Sequence, residues 1–153
     1  MKLPDEVIYF FQSQGYVIVS TVDKDGSPHN SCKGIVKINK AEGAVYLLDL
    51  YKARTYENLK NNKKISLTAV DEHHFKGYCL KGRARLINSD NMASDILRDW
   101  QDKITGRLTK RILKNIREEK GHASHPEVLL PQPKYIIEIK VREIVDLTPH
   151  NLK

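Results

Sequence analysis

The span from residue 16 to residue 50 constrains the fold most, because three strand-like runs and two turn signals follow one another there without a break. "YVIVSTVD" (16–23) is rich in β-branched residues, Asp25-Gly26 in "KDGS" supplies a turn, and "PHNSCKGIVKIN" (28–39) returns extended. "KAEG" (40–43) turns the chain again, and "AVYLLDL" (44–50) is too short and too apolar for anything but a buried strand. Three strands therefore meander at the front. Ahead of them, Pro4, Asp5 and Glu6 suit the first turn of a helix, Val7, Ile8, Phe10 and Phe11 give it an apolar face, and Gly15 ends it.

Beyond the meander, "ARTYENLKNN" (53–62) predicts a short helix, and "KISLTAVDE" (64–72) and "GYCLKGRARLIN" (77–88) predict two more strands joined near His73-His74. The pattern then changes. Met92, Ile96, Trp100, Ile104, Leu108, Ile112 and Ile116 recur every four residues, and Gly106 is expected to break the block of about 90–120 into two amphipathic helices. A proline-punctuated crossing (126–134) leads to "YIIEIKVREIVDL" (135–147), whose alternation predicts a last long strand. The expected fold is mainly β with helices: a six-stranded antiparallel split β-barrel with flanking helices, spanning 1–153 as one domain. Closure by the terminal strand removes the exposed sheet edges. A sandwich would need evenly spaced strands and no helical block.

With 40% hydrophobic residues the chain can bury a core. Asp5 and Glu6 interrupt the first apolar stretch, which excludes a signal peptide or membrane span there and leads to the expectation of a soluble cytoplasmic protein. Cys32 and Cys79, far apart and without ligand spacing, read as reduced thiols. The net charge of +7 and pI near 9.4 fit either nucleic acid or a phosphorylated small molecule. Position decides between them. In the helical block Arg98, Lys103, Arg107, Lys110, Arg111, Lys114, Arg117 and Lys120 outnumber the intervening acids, but few aromatics are interleaved, so a solvated face is favoured over a basic binding module for nucleic acid or a protein partner.

The other charge concentration is "DLYKARTYENL" (49–59), where Lys52 and Arg54 stand at a helix start that already carries partial positive charge. With Thr55, as a cap or first-turn residue, they form a candidate pocket for a dianionic phosphate. His73-His74 and the His122, His125 pair of "GHASHPE" lack zinc spacing, so no metal is assigned. No nucleophile motif or acid–base carboxylate pair is present, so any catalysis has to come from a bound cofactor.

The order "STVDKDGSPHNSCKGIV", "GAVYLLDLYKARTYENLKNNKKISLTAV", "GYCLKGRARLI" resembles the FMN-binding split-barrel superfamily, which includes the pyridoxamine 5′-phosphate oxidases and small bacterial FMN-binding proteins, over about residues 7–88. The resemblance implies that Arg54 and Thr55 hold the FMN phosphate, with Lys52 nearby and Asn58 in the same helix. It assigns Asn30, Ser31 and Cys32 to the isoalloxazine and ribityl parts, Lys33 to the ring's polar edge or the phosphate, and the main chain of Leu48, Asp49 and Leu50 to the flavin's lining. It also implies a homodimer with flavin at the subunit interface, an oxidoreductase of unknown substrate, and Trp100 as a candidate flavin contact beside its bland reading as core. The sequence departs from the oxidases in three places. Ala53-Arg54-Thr55 replaces a Ser-Arg-Lys turn, no Arg opens the second strand near Pro28-His29, and "VREIVDLTPHNLK" lacks the terminal Arg and His of those enzymes. These departures count against pyridoxamine phosphate oxidation and leave FMN binding intact. Relatives of this fold that take F420 or haem leave those two cofactors as alternatives.

Overall fold

The computed structural model describes residues 1–49, 51–116 and 134–152. Helix α1 (Asp5–Ser13) comes first, with Asp5 and Glu6 in its first turn and Val7 and Phe11 buried. Strands β1 (Val17–Val22), β2 (Pro28–Asn39) and β3 (Ala44–Leu48) follow, then helix α2 (Arg54–Asn61), strands β4 (Lys64–Asp71) and β5 (Lys76–Asn88), helix α3 (Ser94–Ile116) and strand β6 (Tyr135–Asp146). The β1–β2 turn works as its sequence demands. Gly26 takes φ +87°, and the Asp25 carboxylate accepts from the Ser27 N–H and hydroxyl.

All neighbouring strands are antiparallel, in the closed order β1-β2-β3-β6-β5-β4. The last strand thus slots between β3 and β5, and the β1–β4 pairing, with Ile18 opposite Thr68, completes the circle. Inward-facing Val19, Leu47, Leu67, Leu80, Ile137 and Ile139 are fully buried. Period-2 alternation sends every second residue of each strand into this interior.

The two short helices close opposite ends of the barrel. At one end α1 packs Phe10 edge-on against Tyr78, and Glu6 accepts from the Lys76 ammonium and the Tyr78 hydroxyl at the start of β5. At the other, Leu59 of α2 enters the core near the end of β1 and the start of β6. Helix α3 lies instead on the outer wall, with Ile96 and Trp100 packed on Val36, Tyr46, Leu48 and Ile136. Lys37 ties it down through Asp95 and Asp99, the latter at 3.1 Å, and Lys103 donates to the Ile35 carbonyl.

One expectation fails here. Gly106 does not divide the helical block, because α3 runs through it without interruption. A single glycine weakens a helix by only about 1 kcal/mol, less than the burial of Ile96 and Trp100 on the barrel wall supplies. Gly106 is exposed, and a Cβ there meets nothing within 4 Å. Gly106→Ala is therefore expected to stabilise α3 by about 0.5–1 kcal/mol, read as slower hydrogen exchange of its amides. Leu50, Arg117, Lys120, His122, His125 and the crossing up to residue 133 lie outside the described residues.

Candidate functional site

Strand β3 ends at Leu48, and the next few residues turn the chain into α2. Ala53 occupies the N-cap with extended backbone and, being alanine, makes no side-chain cap. The Glu57 N–H bonds back to the Ala53 carbonyl at 3.2 Å, so the N–H groups of Arg54, Thr55 and Tyr56 have no acceptor within the helix. Two cations flank this uncapped start. The Arg54 side chain is 66% exposed, with the Asp23 carboxylate 3.6 Å away. Lys52 is exposed and sits over the rings of Tyr56 and Tyr135, at 5.1 and 5.8 Å from their centroids. N–H groups without an acceptor in the helix, beside two exposed cations, make a candidate receptor for an anion.

Beneath these open groups lies a layer of side chains that hold one another. Ser31 and Thr55 hydroxyls are 2.9 Å apart, joining β2 to the first turn of α2. The buried Asn58 amide donates to Thr21 at 3.1 Å and to Asp23 at 2.7 Å, which fixes α2 to the end of β1. Lys33 donates to Asp49 at 2.5 Å, and the Tyr135 hydroxyl donates to the other Asp49 oxygen. The Asp49 side chain is 1% exposed and that of Lys33 11%. Burial, and then the bonded Asp49 carboxylate, push the Tyr135 phenol far above its ordinary range, so it stays a proton donor at every physiological pH.

The structure divides the residues singled out in the sequence into three groups. Lys52, Arg54, Thr55 and Asn58 meet at the start of α2, and Ser31, Lys33 and Asp49 support them from inside the barrel end. Asn30 and Cys32 alternate with Ser31 and Lys33, so they point out of the wall and are exposed. Leu48 and Trp100 come together where α3 packs on the wall. The cavity beside them, lined by Gly34, Ile35, Val36, Lys103 and Ile104, holds only about 10 Å³, room for about one water. Trp100 is 2% exposed, and its indole N–H has no partner among the described residues.

Sequence reasoning missed Thr21, Asp23, Tyr56 and Tyr135, whose roles depend on contacts across the barrel end. Next to the Asp23–Asn58 contact, a groove of about 410 Å³ is lined by Val22, Lys24, Gly26, Asn61 and Asn62. Among the described residues no cluster of His, Cys, Asp or Glu could hold a metal, and no helix is long and apolar enough to cross a membrane.

A closed antiparallel barrel of six strands, plugged by short helices and buttressed by a helix on its wall, is the architecture of the FMN-binding split barrels. The profile described as pyridoxamine 5′-phosphate oxidase matches residues 3–146, and the chain belongs to that family. No curated protein sequence matches it. Among solved structures, HupZ of Group A Streptococcus is similar at 20% identity and TM-score 0.67, over 95% of this chain and 94% of that one. A Clostridium acetobutylicum protein related to a general stress protein of B. subtilis, of the pyridoxinephosphate oxidase family, matches at 19% identity and TM-score 0.59, over 97% and 95%. HutZ, the haem storage protein of Vibrio cholerae, matches at 18% and TM-score 0.56, over 95% and 94%. At these identities the likeness carries the fold alone.

Proposed function

We propose that this protein binds flavin mononucleotide and serves as a flavin-dependent oxidoreductase, working as a cytoplasmic homodimer. The observation that carries the reading is the uncapped start of α2, where three N–H groups without an intrahelical acceptor lie beside Lys52 and the largely exposed Arg54. This donor set suits a phosphate dianion: helix N–H groups, a guanidinium fork and an ammonium, with the buried Thr55 hydroxyl, held by Ser31, behind them. Asp23 is a competing anion, and at 3.6 Å its hold on Arg54 is loose enough for a dianion to displace it.

The barrel interior is filled, and Ser31, Lys33 and Asn58 are already engaged with protein partners. A tricyclic ring therefore has to lie on the outer wall, over the exposed Asn30 and Cys32 of β2. Such a seat covers only one face of the ring, which favours completion by a second subunit. When bound, the flavin supplies hydride or electron transfer. The chain's part is to anchor the phosphate, orient the ring and limit access of water and oxygen.

The test is a titration of the purified protein with FMN, riboflavin, F420 and haem, followed by absorbance and flavin fluorescence. One FMN per chain, bound in preference to riboflavin, is the expected result. Preferential uptake of haem, which HutZ stores, or of F420, would replace FMN as the cofactor.

A further inference from the structure

The turn into α2 gathers like charges. Lys52, Arg54 and the positive end of the helix repel one another, offset in the free protein only in part by Asp23 at 3.6 Å from Arg54, and this force favours opening the turn. The surrounding side chains oppose it from both sides. On the strand side, one Asp49 oxygen accepts from Lys33 of β2 and, at 3.4 Å, from the Tyr51 N–H, while the other accepts the Tyr135 hydroxyl from β6. On the helix side, the fully buried Tyr135 ring meets Tyr56 edge-on at 4.8 Å, and Lys52 rests over both rings. Three strands and the first turn of α2 thus converge on a single carboxylate and a single phenol.

We infer that Asp49 and Tyr135 are positioning residues that hold the turn from Tyr51 to Tyr56 in its anion-receiving shape before the ligand arrives. Neither needs to touch the ligand. They act through the placement of Lys52, Arg54 and the helix N–H groups, so the inference rests on the phosphate site proposed above. Tyr135→Phe removes the hydroxyl and keeps the ring, which leaves the core packing in place.

Two measurements on the full-length protein separate positioning from general stability. The first compares FMN affinity for Tyr135→Phe in the natural background and in the Arg54→Ala background. Positioning predicts about a tenfold loss in the natural background and a clearly smaller one where Arg54 is already gone, because one of the groups that the turn places is then missing. Equal losses in both backgrounds, or no loss, overturn the inference. The second measures hydrogen exchange of the segment Tyr51–Leu59 without ligand. Faster exchange there, with the barrel strands as protected as before, supports the inference, and unchanged exchange overturns it. Should the unaltered protein take up no FMN, the proposed function fails and the exchange measurement alone decides whether Tyr135 holds the turn.

Discussion

Arg54→Ala is expected to weaken FMN binding by roughly 10- to 150-fold, the equivalent of about 1.5–3 kcal/mol for a hydrogen bond to a charged group. The effect should belong to the phosphate. Riboflavin, which lacks it, is expected to bind the altered and unaltered proteins alike, so the ratio of the two affinities isolates the contact. Arg54→Lys should fall between the two, because an ammonium keeps the charge but loses the planar fork. Since the Arg54 side chain is 66% exposed, its attraction to the dianion is screened by salt. The FMN affinity of the unaltered protein should therefore drop between low and physiological ionic strength, and the Arg54→Ala protein should show a shallower drop. An Arg54→Ala protein with unchanged FMN affinity would remove the helix start from the cofactor site. Fluorescence titration at two salt concentrations is sufficient to decide.

The barrel was legible in the sequence because its elements announce themselves locally. Gly26 needs its positive φ at the turn, and Pro28 begins a run that stays extended to Asn39, so β2 is found where the pattern places it. Strand β3 ends at Leu48, short of the apolar run that extends to residue 50, because the Asp49 carboxylate accepts from the Tyr51 N–H and bends the chain toward α2. Gly106 misled because local propensity is a weak force beside the burial of Ile96 and Trp100 on the barrel wall. The same division runs through the candidate site. Lys52, Arg54, Thr55 and Asn58 are close in sequence and end up close in space. Asn30 to Lys33 are consecutive in a strand, and period-2 alternation alone forbids all four side chains from sharing a face. Tyr135 left no local trace: its bond to Asp49 spans 86 positions, and only the β3–β6 pairing, with Leu48 opposite Ile136, brings the two together.

Asp49→Ala is expected to cost about 3–5 kcal/mol of stability, because it breaks a buried ion pair and leaves the Lys33 ammonium without its counter-charge. Lys33 cannot simply swing out, since its side chain is only 11% exposed and issues from a strand whose neighbours on that face turn inward. The Tyr135 hydroxyl loses its acceptor at the same time. For a domain whose whole stability is about 5–15 kcal/mol, this is a large fraction. The charge explanation can be separated from loss of packing by a second change. In the double variant Lys33→Met with Asp49→Ala, the buried charges disappear together and the thioether fills the lysine stem, while the carboxylate's shape and its acceptor oxygens for Tyr135 stay absent. About half or more of the lost stability should return, as buried ion pairs exchanged for well-packed neutral groups are often neutral or stabilising. Urea unfolding midpoints of the three proteins measure this directly. If the double variant unfolds as early as Asp49→Ala, the contribution of Asp49 comes from its shape and not its charge. The carboxylate would then hold the turn as a packed hydrogen-bond acceptor, with Lys33 a passenger at the barrel end.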